Sequence, residues 1–174
     1  MPDPVLSTER LVLRPATATS APDLLCPRPN GFPRADDASV LAGVLASAAD
    51  GHGGHGGDGV YVVELHGEPI GTVGCAGGLS PDGDQEVGYG LVPAARGRGL
   101  ATEAVGALCA HLERAPGVLR LTAEALPGNS ASLRVLHRLG FVPVAGGSQG
   151  HQLLARAAPG RPAVRPHLAG RHVC

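Results

Sequence analysis

Lysine is absent from this 174-residue chain, so its fourteen basic residues are all arginine and the phosphate-binding signature Gly-Lys-Ser/Thr is excluded. No run approaches the roughly 20 apolar residues that a membrane-spanning helix requires. The opening MPDPVLSTER has neither the basic start nor the apolar stretch of a secretory leader. Cys26, Cys75, Cys109 and Cys174 are scattered without a CxxC pair. A reduced, cytoplasmic protein without a membrane partner is the expectation. Neither sign of charge is in excess, since fifteen acids face fourteen arginines for a net −1. That balance offers no broad electropositive footprint, so nucleic acid is not an expected ligand.

What is present suits one globular domain. Hydrophobic residues make up 43% and charged residues 17% of the chain, which excludes wholesale disorder, while 27 Gly and 16 Pro announce many turns. The length allows a real core. The domain is expected over 1–156, with 157–174, which have little pattern, as a disordered tail.

Residues 9–14, ERLVLR, alternate as a half-buried first strand. A weak helical signal at 23–26 and a better one at 37–48 follow, separated by the Pro- and Gly-rich loop CPRPNGFPR. The acids Asp36, Asp37, Asp82 and Asp84 read as solvated loop charges. Six of the nine residues in GHGGHGGDG at 51–59 are Gly, which makes this a flexible segment. His52, His55 and Asp58 have a ligand-like spacing, but such a backbone cannot fix them, and no metal is expected. A hairpin at 60–65 and 69–75 and a strand at 85–92 come next, then a helix at about 100–114. Strands at 118–125, 141–145 and 152–156 and a helix capped by Asn129-Ser130 complete the pattern.

The most informative segment is VPAARGRGLATEA, residues 92–104, where a strand passes through a glycine-bearing turn into an amphipathic helix. Free N–H groups of the first turn, at Leu100, Ala101 and Thr102, point out of the loop with the positive end of the helix dipole. Gly97 and Gly99 let a phosphate approach the backbone, and Arg96 and Arg98 add charge at the rim. A pyrophosphate meets these demands. A dinucleotide-binding turn does not, because its third glycine position is Thr102 and the preceding strand belongs to an antiparallel set.

Taken in order, TERLVLRP, EVGYGLVPAARGRGLATEA and NSASLRVLHRLGF resemble the GNAT superfamily of N-acetyltransferases, in its ribosomal-protein N-terminal (RimJ/RimL-like) subgroup. Arg96, Gly99 and Ala101 meet the pattern Arg-x-x-Gly-x-Ala. The resemblance covers residues 8–15 and 60–145; residues 16–59 are short and diverged. It implies an α/β (α+β) fold with a mixed, mostly antiparallel sheet of six to seven strands, the fourth and fifth splayed, and about four helices. Acetyl-coenzyme A is the implied donor, with its arm between the splayed strands.

By the same resemblance Leu91 and Val92 hydrogen-bond the arm, a main-chain N–H near Val92 faces the thioester carbonyl, and Asn129 contacts the arm. Glu86, in its EVGY context, is the candidate base, needed because only a neutral amine can attack. The family's Tyr on the later helix is replaced by Leu136, leaving Ser132 or solvent to protonate the thiolate. Tyr61 and Tyr89 read as half-buried strand residues, and Cys75 and Cys109 as core, so direct attack without an acetyl-enzyme is expected. The acceptor stays open among peptide α-amines, amino acids, polyamines and aminoglycosides, and the oligomeric state between monomer and homodimer. A coenzyme A-binding sensor that has lost catalysis is the alternative function.

Overall fold

The structure is a computed structural model that describes residues 3–49, 59–148 and 150–161. In chain order its elements are β1 (Leu6–Ser7), β2 (Leu11–Pro15), α1 (Ala21–Leu24), α2 (Ala35–Ala49), β3 (Val60–Leu65), β4 (Glu68–Ala76) and β5 (Asp84–Leu91). There follow α3 (Leu100–Leu112), β6 (Arg120–Ala125), α4 (Ser130–Arg138), β7 (Val142–Pro143) and β8 (Gln152–Ala157). The strands form one sheet in the order β1-β2-β3-β4-β5-β6-β8-β7, with β5–β6 the parallel pair and the others antiparallel. The expected mixed α/β architecture is present with eight strands rather than six to seven. The addition is β1, whose two residues are too few to leave a period-2 signal.

The periodic segments bury the faces that their patterns specify. Leu11 and Leu13 of β2 lie in the core, as do Leu100, Ala104, Val105, Leu108 and Cys109 of α3. Each fully buried large apolar side chain contributes about 1.5–3 kcal/mol, so these two elements hold the sheet and the helix together. In β6, Leu121, Ala123 and Ala125 are buried as expected, but Leu119 is exposed. It precedes the strand, where its N–H is given to Gly83 O at 2.8 Å, and Val118 turns inward instead.

Two segments are better ordered than their composition suggests. The irregular loop before α2 is anchored by Asn30 Nδ2, which donates to Pro69 O at 2.7 Å, and by buried Phe32. At the other end Ala158 is buried and donates its N–H to Leu119 O at 2.9 Å, so the fold continues past residue 156. Residues 162–174, most of the expected tail, and 50–58 lie outside the described residues.

The entrance to α3 is braced from the first strands. Glu103 Oε1 accepts from Thr8 Oγ1 at 2.5 Å and from the Arg10 N–H at 2.9 Å, while Arg10 Nε donates to Oε2 at 2.7 Å. The same guanidinium donates through Nη1 to Arg98 O at 3.0 Å, so one arginine holds both the helix start and the loop before it. Burial alone would raise the Glu103 carboxyl, but the bonds from Thr8 and Arg10 and the Arg10 charge outweigh it and hold the group below its ordinary value. Glu103→Gln is therefore expected to cost about 1 kcal/mol at neutral pH. Because the folded pKa is depressed, this contribution is present above the unfolded carboxylate value and is lost as pH falls through the folded one. Denaturant melts of both proteins from neutrality to about pH 3 should show the gap closing at the acid end; a gap independent of pH would contradict the brace.

Candidate active site

The site begins where two strands part. β5 and β6 pair only at Asp84↔Arg120, Gln85↔Leu121 and Glu86↔Thr122. Beyond these positions β6 continues against β8, and β5 continues against β4 through Leu91. The rest of β5 is left with an open edge. Val92 N–H donates to Ile70 O at 2.8 Å, so it points to β4 and away from that edge, contrary to the sequence expectation. Alternation of backbone direction along a strand then turns Tyr89 and Leu91 toward the cleft. Leu91 O fits this, since it accepts from Arg96 Nε at 2.9 Å. The cleft-facing donor is therefore the Leu91 amide, not that of Val92.

At the end of β5 a short 3-10 turn over Pro93–Ala95 leads into the loop before α3. Gly97 and Gly99 have φ of 73° and 77°, a left-handed conformation that costs other residues about 1–2 kcal/mol. The first N–H to reach back into the helix start is that of Glu103, to Gly99 O at 3.1 Å. The amides of Leu100, Ala101 and Thr102 precede it and are directed outward with the positive end of the dipole. They open into a cavity of ≈ 580 Å³ running from the β5 edge to α4.

Leu91, Arg96, Gly97, Gly99, Leu100, Ala101, Thr102, Asn129 and Ser132 all line this cavity, so the structure brings most of the predicted site together. Val92, Arg98 and Glu86 are not among its lining residues. Arg98 instead presents its carbonyl to Arg10. Sequence reasoning missed Arg134 and Arg138, which line the cavity from successive turns of α4. Their spacing of four residues was the available signal.

On α4, Asn129 Oδ1 caps the helix by accepting the Ser132 N–H at 3.1 Å. The Ser132 hydroxyl lies 2.8 Å from the Tyr89 hydroxyl, which also donates to Ser132 O at 3.2 Å. Tyr89 is half-buried, as expected of a strand residue, yet its tip reaches the cleft. Burial raises its pKa, against the lowering effect of the Ser132 bond. Leu136 is buried in the core. Cys109 is too, and burial pushes its thiol up to about 12, which leaves it no nucleophilic thiolate. Tyr61 is wholly buried rather than half-buried. Cys75 departs from its core assignment, being only half-buried at the wall of a second cavity.

That second cavity, of ≈ 230 Å³, includes Val40, Val60, Thr72, Gly74, Ala76 and Gly88 in its wall and shares Arg34, Asp36 and Tyr89 with the first. Asp37 beside it is wholly buried, not a solvated loop charge. Arg34 Nε and Nη2 each donate to its carboxylate at 2.7 Å, and Thr72 Oγ1 donates to it at 2.7 Å. The guanidinium so held covers Gly90, where any Cβ would take its place. Asp84 is likewise paired, accepting from Arg120 Nε and Nη2 at 2.5 and 2.6 Å.

Glu86 is exposed on the same face of β5 as Gly88 and Gly90, directly opposite Ala76 at the edge of the second cavity. Although the residue is exposed as a whole, partial desolvation of its carboxyl first, then the Glu124 carboxylate, raises its pKa above the ordinary value. Among the described residues no group of three or more His, Cys, Asp or Glu could hold a metal ion, and no helix is long and apolar enough to cross a membrane. His52, His55 and Asp58 lie outside the described residues.

The profile of the family described as Acetyltransferase (GNAT) domain matches residues 10–142. A Bordetella pertussis protein assigned to the GnaT family of acetyltransferases is 30% identical, with a TM-score of 0.64 over 89% of this chain and 100% of that one. An acetyltransferase from Agrobacterium tumefaciens is 27% identical, with a TM-score of 0.65 over 89% and 95%. Mycobacterium smegmatis RimJ, solved with a coenzyme A disulfide, shares the fold at 24% identity and a TM-score of 0.61 over 85% and 82%. No curated protein is significantly similar in sequence. With a glycine turn leading into the free amides of α3, a parted β5 and β6, and a profile match over most of its length, this chain belongs to the GNAT acetyltransferase family.

Proposed function

We propose that this protein transfers acetyl from acetyl-coenzyme A to a primary amine by direct attack within a ternary complex. The observation that carries the reading is the continuity of one cavity, from the open backbone edge of β5 to the free amides at the start of α3. A pantetheine arm matches such an edge because its amides can pair as a further strand would. The amides of Leu100, Ala101 and Thr102, with Gly97 and Gly99, receive the pyrophosphate, and Arg96 stands at its rim. Arg134 and Arg138 supply charge for a further phosphate. Arg98, exposed on the loop, contributes longer-range charge rather than a cavity wall.

Acetyl-coenzyme A supplies the activated acyl group when bound. The Leu91 N–H is the donor set toward the carbonyl oxygen, where negative charge develops. Val92 supports the same strand through its bond to Ile70 rather than meeting the acyl group itself. Glu86 removes the amine proton through ordered water, since it flanks the second cavity rather than lining either one. Ser132, regaining a proton from solvent as it gives one up, protonates the departing thiolate, and its hydroxyl is held by its contact with Tyr89. Asn129 fixes Ser132 by capping α4.

Thr102→Glu tests the cradle without endangering the fold. A carboxylate in the first turn of a helix is favourable by about 0.3–1 kcal/mol, yet it repels phosphate. Calorimetric titration with acetyl-coenzyme A should show binding by the parent protein and a loss of at least about 10² in affinity in this variant, with stability unchanged or raised. Binding undiminished by the substitution would place the pyrophosphate elsewhere. Thiol release against an amine panel then separates an enzyme from a coenzyme A-binding sensor, which would bind without turnover.

The base has its own signature. Glu86→Gln is expected to lower kcat by about 10²-fold. Because Glu124 raises the Glu86 pKa, Glu124→Gln should shift the acid limb of the kcat/KM profile to lower pH. An acid limb unmoved by both substitutions would assign proton removal to water alone.

A further inference from the structure

Arg34 immediately precedes α2, and a single carboxylate fixes both its backbone and its side chain. Asp37 Oδ2 accepts the Arg34 main-chain N–H at 3.0 Å and Nε at 2.7 Å, while Oδ1 accepts Nη2 at 2.7 Å. Thr72 Oγ1, from β4, donates to the same Oδ1 at 2.7 Å. A guanidinium has five N–H donors in a rigid fork, so three remain on Nη1 and Nη2. The ion pair offered to Nη1 is Asp36 Oδ2 at 3.9 Å, beyond hydrogen-bonding distance and on a side chain that is 88% exposed. Such a pair is too weak in solvent to engage the fork.

These spare donors sit beside the reacting end of the larger cavity. Nη1, Nη2 and Cζ occupy the space that a Gly90 Cβ would take, so the guanidinium rests on the Gly90 α-carbon. The next residue is Leu91, whose amide is turned to the open edge of β5, because Val92 points to Ile70. Arg34, Gly90 and Leu91 line one cavity, with Asn129 and Ser132 across it. The amide lies in the plane of the sheet and the cation on its face. An oxygen placed at the Leu91 amide therefore has a second, charged donor beside it from another direction.

Resting on the acetyltransferase reading above, we propose that Arg34 is a further catalytic residue, whose free Nη edge joins the Leu91 amide in binding the thioester oxygen. As the amine nitrogen bonds to the carbonyl carbon, the π pair of the C=O bond moves onto oxygen, and both donors meet the negative charge. The pair returns as the C–S bond breaks; the sulfur takes up a proton and the nitrogen gives one up. A cation held in place before the charge appears needs no reorganisation during the step, which is the purpose served by buried Asp37 and Thr72. The glycine at position 90 belongs to the same device, since any Cβ there would push the guanidinium off the strand.

The test compares the parent protein with Arg34→Gln, which removes the guanidinium, and Gly90→Ala, which displaces it while leaving Arg34 and Asp37 in the chain. Gly90 lies in regular strand, so the alanine backbone is unstrained and the new Cβ acts on the end of the Arg34 side chain. Each protein is first titrated with acetyl-coenzyme A; no binding by the parent would sink the acetyltransferase reading itself, as distinct from this inference. The carbonyl resonance of bound acetyl-coenzyme A, carbon-13 labelled at the thioester carbon, is then recorded, a readout that needs no acceptor. Single-turnover thiol release is measured with the fastest amine of the panel.

A donor matched to the developing charge acts on rate more than on binding, so both variants should keep acetyl-coenzyme A affinity within about threefold. Their single-turnover rates should fall by about 10²-fold. Because a charged donor polarises the carbonyl, the parent resonance should lie downfield of the resonance in either variant. A loss of rate with an unmoved resonance would make Arg34 a structural residue and overturn the proposal, as would parent-like rates in the variants. Should Arg34→Gln fail to fold, the resonance and rate of Gly90→Ala decide by the same criteria.

Discussion

An unpaired strand edge inside a protein is costly, because each backbone N–H and C=O there has given up water and needs a partner. β5 has such an edge from the point where β6 leaves it after Glu86 and Thr122. Two different neighbours pull the strands apart: β4 holds β5 to its end at Leu91, while β6 pairs along its whole length with β8. The cleft thus follows from competing pairings and not from a flexible loop. Arg96 relieves part of the cost by donating to Leu91 O, and Tyr89, Gly90 and Leu91 of the same edge line the cavity.

The other structural devices keep this opening in shape. On one side the loop before α3 is held by Arg10, whose guanidinium bridges Glu103 and the Arg98 carbonyl. On the other, the Tyr89–Ser132 contact spans the gap between β5 and α4. Over the opposite face lies the Arg34–Asp37–Thr72 network, in which a buried carboxylate is satisfied by one guanidinium and one hydroxyl. Removing one partner from such a network leaves the others buried and unpaired, so it favours a single geometry strongly. Rigid sides around an open edge suit a reaction whose barrier depends on holding two reactants in line.

Much of the site was legible because its chemistry is local. The cradle is written in adjacent residues: glycines that tolerate positive φ, an arginine, and a helix start whose amides have no earlier carbonyl to meet. Arg134 and Arg138 were less legible, since four-residue spacing on an amphipathic helix also describes an ordinary solvated face. Asp37 was misread because a carboxylate at the start of a helix looks like a solvated charge, and nothing nearby in sequence shows that Thr72 will be brought to it. Of Leu91 and Val92, both expected at the arm, Val92 turns its amide to β4, because one residue along a strand reverses the direction of the hydrogen bond.

By itself the sequence determined the periodic elements, most of the faces they bury, the glycine turn into α3 and the family. These depend on backbone conformations and side-chain spacings within a few residues, and such preferences are expressed before any tertiary contact forms. Only the tertiary structure decided which amide of β5 faces the cleft, where Glu86 stands relative to the cavities, and that Arg34 is held between them. The first rests on Val92 meeting Ile70 across the sheet, and the last on Thr72 meeting Asp37 at a separation of 35. No local preference encodes such a meeting; it is set by how the sheet and α2 pack, and packing is a property of the whole chain.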